Sequence, residues 1–286
     1  MSIVVTGATG HLGRHVVAQL LERVPAGQLT AVVRDEAKAA DLAARGVRIA
    51  VADYNAPRTF DTLFAPGDKV LLISSSEFDK DRVAQHKVVV DAARAAGVAL
   101  LAYTSAPASL TAALADDHRA TERLIVDSGV PYVFLRNGWY HENYTENLAP
   151  VLAHNTVVAA TGDGRIASAA RADYAAAAVA VLTGEGHENA AYELFGDSAW
   201  SMAEYAAELS RRTGREIGFT HVSAEALTGI LTGAGLPAPL AAILAGVDVS
   251  IEKGELAGGV DDLSRLAGRP TTPLSDAIAA ATGPDS

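Results

Sequence analysis

The 286-residue sequence contains no cysteine. This absence excludes disulfide bonds, thiolate nucleophiles and zinc sites built on cysteine ligands. It is compatible with a reducing cytoplasm. The pattern of the chain suggests no metal site of any other kind. Its length is sufficient for one large α/β domain with an ample core and a smaller lobe.

Basic residues are also scarce, with 23 Lys and Arg against 34 Asp and Glu, which gives a formal net charge of −11. Proteins that bind nucleic acid concentrate positive charge on one face, so this balance argues against a nucleic-acid partner. Neither a basic segment nor a full apolar core precedes Gly7, and we expect no secretory signal peptide.

Long hydrophobic runs are lacking as well. The longest stretch without charge, residues 226–247, is interrupted by glycines and prolines between Gly229 and Pro239. A membrane-spanning helix would be more continuous and more hydrophobic. We therefore expect two short helices joined by Gly235-Leu236-Pro237, and no membrane association.

A glycine-rich turn follows the apolar run Ile3–Thr6, which is typical of a buried strand. Glycines at this spacing let the backbone approach a pyrophosphate, whose charge then lies at the N-terminus of the next helix. The turn taken alone could be an ordinary loop, but its place at the start of a βαβ pattern predicts dinucleotide binding. The cofactor-binding residues predicted here are Gly7, Ala8, Thr9, Gly10, His11, Leu12 and Gly13.

The type of dinucleotide is indicated by Arg34, which follows the second predicted strand about 20 residues after Gly13. A carboxylate at this position would bind the ribose 2′-hydroxyl of NAD, whereas an arginine accommodates the 2′-phosphate of NADP. Lys38 offers a second cation one helical turn later. Asp35 leaves an NAD-binding alternative open, and Arg34 could also be a solvated residue at a strand end. We predict NADPH as the cofactor, with NADH possible.

Strands alternate with helices through the first half of the chain. This alternation predicts an α/β fold with a doubly wound parallel sheet, the NAD(P)-binding Rossmann fold. The predicted strands are Ile3–Thr6, Leu29–Val33, Val47–Ala52, Val70–Ser74, Leu100–Thr104 and Tyr132–Leu135, with helices at Arg82–Ala96 and Ala120–Ser128.

The regular alternation fades after Leu135, which predicts a smaller C-terminal lobe of mixed α/β type. We expect a dinucleotide-binding domain over residues 1–155, with a returning segment near 165–185, and a substrate lobe mainly over 186–286. Asp173 is expected to cap the alanine-rich helix that follows it. Ser201-Met202-Ala203-Glu204 has the spacing of a capping box.

Residues just after the strands of such a sheet lie where ligands bind. Asp53 follows the third strand, where its carboxylate could accept from the adenine amine or could serve only as a turn residue. Small hydroxyl residues follow the next two strands and suit a close approach of the cofactor, although serine is also ordinary loop material. They are Ser74, Ser75, Ser76, Thr104 and Ser105.

Aromatic and amide groups follow the sixth strand, where the nicotinamide is expected. Asn137 could bind the carboxamide, and Trp139, Tyr140 and Tyr144 could form walls around a flat ring. Such a cluster is often part of a core, but its place at a strand end favours function. We predict cofactor contacts from Asn137, Gly138, Trp139, Tyr140, His141 and Glu142, substrate contacts from Tyr140, Asn143 and Tyr144, and catalytic roles for Tyr140 and Asn137.

One catalytic pair is missing. Alcohol- and sugar-processing short-chain dehydrogenases use a Tyr-x-x-x-Lys pair, and no lysine here stands four residues after a tyrosine. Oxidation of a secondary alcohol is therefore harder to explain. An acceptor that needs little proton assistance, such as a quinone, fits better.

These features together resemble the atypical short-chain dehydrogenase/reductases of the NmrA-like group, and in particular the NAD(P)H:quinone oxidoreductase 2 type. The resemblance spans essentially the whole chain, and its first motif is shared by many reductases while the Arg-Asn-Gly-Trp-Tyr and Gly-Asp-Ser-Ala-Trp segments are more specific. It is carried by Val5–Gly10, Leu12-Gly13, Leu72–Glu77, Ala102–Ser105, Leu135–Tyr140, Arg171–Tyr174, Tyr192–Leu194 and Gly196–Trp200.

The resemblance implies a cytoplasmic enzyme that reduces quinones or similar conjugated acceptors with NADPH. The sequence leaves two oligomeric states open, a monomer and a homodimer. It also places Arg171 near the cofactor. His11 stands where the family often has Gln or Asn, which matters little because the backbone binds the phosphates. The alternative is an NmrA-like redox-sensing regulator that binds NAD(P) without turnover.

Overall fold

The computed structural model describes residues 2–283. Contacts within the chain divide it into two compact units. The first unit comprises residues 2–106, 117–137 and 174–192, and the second comprises residues 107–116, 138–173 and 193–283.

The strands and helices of the described residues alternate most regularly in the first unit. The strands are β1 (Ile3–Val5), β2 (Leu29–Val33), β3 (Arg48–Val51), β4 (Lys69–Leu72), β5 (Leu100–Ser105), β6 (Tyr132–Asn137), β7 (Thr156–Ala159), β8 (Arg165–Ile166), β9 (Ala190–Leu194), β10 (Trp200–Ser201) and β11 (Gly218–His221). The helices are α1 (His11–Leu20), α2 (Ala40–Ala44), α3 (Arg82–Ala96), α4 (Leu114–Ser128), α5 (Glu142–Thr145), α6 (Ala149–His154), α7 (Arg171–Thr183), α8 (Met202–Thr213), α9 (Ala224–Gly233), α10 (Ala238–Glu252), α11 (Asp262–Ala267) and α12 (Leu274–Ala281).

The first unit is built on a seven-stranded sheet in the order β3-β2-β1-β4-β5-β6-β9. β1 lies parallel to both β2 and β4, with Ile3 opposite Leu29 on one side and Lys69 on the other. The order of the strands reverses between β1 and β4, and ligands of open α/β sheets bind at the carboxyl ends of the strands beside such a point. The predicted doubly wound Rossmann fold is confirmed.

The core of this unit lies on both faces of the sheet, as a parallel sheet requires. All three residues of β1 and all five of β2 are buried. Val89, Val90 and Ala93 of α3 are buried in one cluster with residues of β4 and β5. This packing fixes α3 beneath the loop that follows β4.

The second unit contains two small sheets. β7 pairs in parallel with β11, and β8 pairs antiparallel with β10. The uncharged stretch 226–247 forms parts of α9 and α10 with a turn at Gly235, as predicted. Within residues 2–283, every helix is too short or too polar to cross a membrane.

Two predicted helix starts have different outcomes. The capping box at α8 is present, because the Ser201 hydroxyl accepts from the Glu204 N–H while the Glu204 carboxylate accepts from the Ser201 N–H. The expectation for Asp173 is wrong, since α7 begins at Arg171 and Asp173 lies inside its first turn. The buried Asp173 carboxylate instead accepts from the backbone of Thr272 at 2.9 Å.

Candidate functional site

The turn between β1 and α1 has the geometry of a phosphate cradle. Gly7 has a φ of +61°, which favours glycine, and its carbonyl accepts from the Gly10 N–H at 2.9 Å. A Cβ on Gly13 would lie 2.2 Å from the Gly7 oxygen and 2.8 Å from the Ala8 Cα, so no side chain fits there. Gly10 stands at the N-cap of α1 without a side chain to satisfy the first N–H groups, which leaves them suited to an anion.

A half-buried tyrosine ties the ends of β1 and β4 together beneath this cradle. The Tyr54 hydroxyl contacts the Thr6 Oγ1 at 2.6 Å and the Ile73 carbonyl at 2.9 Å. The same Thr6 oxygen accepts from the Ile73 N–H and donates to the Leu71 carbonyl. Burial raises the pKa of Tyr54, so its hydroxyl stays protonated. Sequence reasoning missed this residue, because nothing but its place after β3 marks it.

Arg34 extends from the end of β2 with an exposed side chain, and its guanidinium contacts the Glu77 carboxylate. The Asp35 carboxylate accepts from the Ala37 N–H at 3.0 Å and thereby caps the short 3-10 helix that follows. Lys38 lies exposed in that helix, and its carbonyl accepts from Arg14 at 2.8 Å. Asp35 therefore has a local structural role as the cap of this 3-10 helix.

Asp53 also has a local partner. One oxygen of its carboxylate accepts from the Asn55 backbone N–H at 2.9 Å and from the Asn55 side-chain amide at 3.0 Å. This is the turn role that the sequence left open. Its contact with adenine stays a prediction.

The loop after β4 is held from below by two side chains of α3. The Ser75 N–H donates to His86 Nε2 at 2.9 Å, and the Ser75 carbonyl accepts from Arg82 Nε at 2.8 Å. The Ser74 N–H donates to Thr104 Oγ1 at 2.8 Å, which links this loop to β5. Both backbone polar groups of Ser75 are thus fixed, so the loop presents Ser74 and Ser76 from a rigid frame.

The hydrogen-bond partners of His86 determine which of its ring nitrogens carries the proton, and Arg82 has partners of its own. His86 Nε2 accepts from Ser75, so His86 is neutral and its Nδ1–H donates to Thr121. Arg82 donates to His118 Nε2 at 3.2 Å and pairs with the Asp117 carboxylate at 3.1 Å. Burial, and next the positive charge of Arg82, lowers the pKa of His86 to about 3. Burial likewise holds the pKa of His118 well below its ordinary value.

A buried hydroxyl at the end of β5 is a second feature that fits a bound cofactor. Ser105 is 5% exposed, and its Oγ has no hydrogen-bond partner among residues 2–283. Buried polar groups nearly always have one, so an unpaired hydroxyl at a strand end fits a bound polar group. Asn137 is buried at the end of the adjacent strand β6. Together with the glycine cradle, these residues fit a dinucleotide.

The second unit holds the remaining predicted residues. The Arg171 guanidinium lies over the ring of Tyr140, 5.4 Å from its centroid, and pairs with the Glu146 carboxylate. The Arg171 N–H donates to a Glu142 carboxylate oxygen at 2.8 Å. Tyr144 packs edge-on against Trp200, with ring centroids 5.0 Å apart. Tyr140 and Arg171 are therefore held as one cation–π pair.

His141 has a positioning role in this segment. Its Nε2 contacts the Thr272 carbonyl at 2.9 Å, so that nitrogen carries the proton, and its Nδ1 contacts the Ser168 hydroxyl at 2.8 Å. Trp200 Nε1 donates to the same Ser168 oxygen at 2.9 Å. Burial lowers the pKa of His141, in agreement with a neutral ring. This chain of contacts fixes the backbone beside Tyr140.

The predicted residues are thus divided between the units. Within the first unit, the turn after β1, the loop after β4 and the carboxyl ends of β5 and β6 lie at one edge of the sheet. They do so because these strands are parallel, and parallel strands end at the same edge. Gly138 to Tyr144 and Arg171 belong to the second unit. Sequence reasoning missed Tyr54, Glu77, Arg82 and His86, of which Glu77 stood within a quoted motif.

The chain matches the family described as NAD(P)H-binding over residues 7–185. Quinone oxidoreductase 2 of Escherichia coli K12 is 45% identical over 278 residues, which are 96% of this chain and 97% of that protein. The chain belongs to the NAD(P)H-binding family. The Escherichia coli enzyme in complex with NADPH has the same fold, with a TM-score of 0.93, 45% identity and coverage of 97% of this chain and 99% of that one.

Two further proteins extend the likeness. Triphenylmethane reductase of Citrobacter sp., complexed with NADP(H), has a TM-score of 0.92 and 40% identity, with coverage of 98% of this chain and all of that chain (100%). An NmrA-like family domain-containing oxidoreductase of Aspergillus flavus is 29% identical over 233 residues, which are 78% of this chain and 75% of that protein. The NmrA-like resemblance and the NAD(P)H cofactor are confirmed.

Gly13→Ala is expected to abolish tight NADPH binding and to lower the free energy of unfolding by about 1–3 kcal/mol, the usual cost of overpacking. The added Cβ would collide with the Gly7 carbonyl, so α1 must move away from the cradle. Fluorescence titration with NADPH and urea unfolding measure the two effects. Gly27→Ala is the matched control, because its Cβ would meet no atom within 4 Å. Wild-type affinity and stability in Gly13→Ala would contradict the placement of the turn.

His86 is expected to make the protein acid-sensitive. The unfolded chain binds a proton at His86 near pH 6.5 and the folded chain only near pH 3, so stability is lost as pH falls between these values. The loss is at most about 1.36 kcal/mol per pH unit for one proton. His86→Gln retains an acceptor for Ser75 but cannot titrate, so its stability should fall less steeply in urea unfolding between pH 7 and 4.

The exposed His15 supplies the control for this measurement. A His15→Gln variant should follow the wild-type dependence of stability on pH. If His86→Gln also follows it, the buried histidine is not the neutral acceptor described above.

Proposed function

We propose that this protein is an NADPH-dependent reductase that transfers a hydride to quinones or similar conjugated acceptors. The observation that carries this proposal is the nearly full-length likeness to quinone oxidoreductase 2 of Escherichia coli, at 45% identity over 96% of the chain. The glycine cradle and the unpaired Ser105 hydroxyl add support, because they fit the cofactor that such a reaction needs. The proposal includes a cytoplasmic location, which the absence of cysteine suits.

The first unit would hold the cofactor. The N–H groups at the start of α1 would bind the pyrophosphate, and Arg34 would bind the 2′-phosphate with Lys38 as a second cation. Ser74, Ser76 and the ends of β5 and β6 would contact the ribose and nicotinamide portions. The bound nicotinamide supplies the hydride.

Stabilisation of the reduced acceptor is the part of the reaction left to side chains. Reduction of a quinone by hydride leaves an oxyanion, and the chain has no Tyr-x-x-x-Lys pair to protonate it. We propose that the hydroxyl of Tyr140, or alternatively the amide of Asn137, stabilises this oxyanion, with water as the source of the proton. The guanidinium of Arg171 over the Tyr140 ring would orient the ring.

Purified protein is expected to oxidise NADPH in the presence of 1,4-benzoquinone and to form one hydroquinone per NADPH. The absorbance of NADPH and chromatography of the product measure this ratio, and a reaction without protein is the control. Transfer of two electrons in one step leaves no semiquinone, so oxygen uptake should stay at the background level. If NADPH binds but no conjugated acceptor causes turnover, the proposal is wrong.

Tyr140→Phe is expected to reduce kcat by less than about tenfold, because a general acid contributes typically 10²–10⁴-fold and Tyr140 is not assigned that role. Tyr140→Ala should mainly raise KM through lost packing. Steady-state kinetics with the same quinone measure both variants. Tyr132→Phe removes a hydroxyl from the stacked Tyr132–Phe134 pair of β6 and serves as control. A loss of more than about 10² in Tyr140→Phe would show that this tyrosine is the catalytic acid.

A further inference from the structure

The guanidinium of Arg34 already has an anionic partner. Glu77, in the loop after β4, contacts Arg34 through Oε1. Its Oε2 accepts from the side-chain amides of Gln85 at 2.6 Å and Asn55 at 3.1 Å. All four residues lie in the first unit. The cation assigned to the 2′-phosphate is therefore part of a four-residue cluster.

Glu77 is the fixed member of the ion pair. Its side chain is 27% exposed, whereas that of Arg34 is 66% exposed. Gln85 is 4% exposed on α3, and its Nε2 also donates to the Asn55 side-chain oxygen at 3.0 Å. The Glu77 N–H donates to Ser75 Oγ, and the backbone of Ser75 is held by Arg82 and His86. Buried residues therefore hold the Glu77 carboxylate in place, whereas the more exposed side chain of Arg34 can move.

The hydrogen bonds to Glu77 keep it ionised. The amide of Asn55, and next that of Gln85, lowers the pKa of the Glu77 carboxyl. A negative charge therefore persists beside Arg34 throughout the neutral range. Glu77 contacts Nη1 of Arg34. A 2′-phosphate carries about −1.5 to −2 charges and is bound best by two parallel guanidinium N–H donors, so it competes with Glu77 for the orientation of Arg34.

We propose that Glu77 limits the selectivity of this site for NADPH over NADH by competing with the 2′-phosphate for Arg34. NADH has no 2′-phosphate, so its binding does not require Arg34 to turn away from Glu77. The ion pair between Arg34 and Glu77 therefore does not lower the affinity for NADH. The inference rests on the proposed contact between Arg34 and the 2′-phosphate. It does not depend on which acceptor is reduced.

Glu77→Gln is the decisive variant, because the amide keeps the size of the side chain and an oxygen for the Asn55 and Gln85 donors. We expect it to tighten NADPH binding about two- to fivefold, the range that corresponds to a partly exposed ion pair. NADH affinity should change by less than about twofold. Fluorescence titration of the cofactor-free protein, without any acceptor, measures both dissociation constants.

Asp79→Asn is the matched control, since it makes the same change in net charge two residues away at an exposed side chain that pairs only loosely with Lys80, at 3.8 Å. It should leave the NADPH-to-NADH ratio unchanged. Thermal unfolding of the cofactor-free variants checks that the loop is intact. Unchanged or weaker NADPH binding in a stable Glu77→Gln protein would overturn the inference. An equal gain in Asp79→Asn would overturn it as well, because general charge would then explain the effect.

A double-variant cycle tests the route through Arg34. Arg34→Ala alone should weaken NADPH by roughly tenfold to a hundredfold and NADH far less. In that background, Glu77→Gln should have no further effect on NADPH. A full gain there would mean that Glu77 repels the phosphate directly, and competition for Arg34 would be wrong. Equal losses of both cofactors in Arg34→Ala would overturn the 2′-phosphate contact, while quinone turnover would still test the proposed reaction.

Discussion

The close approach of α1 to the turn after β1 is the constraint on which the site depends. Gly13 lies so near the Gly7 carbonyl that even a methyl group would overlap it. This contact sets the N-terminus of α1 directly at the carboxyl end of β1. Because β1 is also where the strand order reverses, the positive end of the helix faces the place at which an open α/β sheet binds ligands.

The loop after β4 depends on a second, buried arrangement. Arg82 is 3% exposed and His86 is fully buried, which is costly for polar groups unless every one of them is paired. The network meets that condition by giving Ser75 both a donor and an acceptor, and by keeping His86 neutral. A loop that would otherwise be mobile thereby receives a fixed backbone, which suits close contact with a cofactor.

The positive charge of Arg34, at the end of β2, lies beside the negative charge of Glu77. Arg34 is the proposed partner of a 2′-phosphate, but the structure pairs it with Glu77, whose N–H donates to Ser75 Oγ. The affinity of such a site is a difference between two ion pairs rather than the strength of one. If Glu77 competes for Arg34 as proposed, cofactor preference in this chain is set jointly by residues after β2 and β4.

Much of the fold could be predicted from the sequence, because its signals are local. The apolar run before Gly7, the spacing to Gly13 and the strand–helix alternation depend on backbone sterics and on burial period, which neighbouring residues determine. The capping box at Ser201 is local for the same reason. Asp173 was assigned wrongly because its partner, Thr272, is distant in the chain.

The sequence by itself determined the Rossmann sheet, the phosphate turn and Arg34 as the candidate cation. Only the tertiary structure decided what surrounds them: that Glu77 holds Arg34, that Tyr54 joins the ends of β1 and β4, and that His86 is neutral. The physical reason is that each of these depends on pairing between side chains far apart in the chain. Periodicity and motif spacing carry no record of such pairs, because they arise only when the strands are brought side by side.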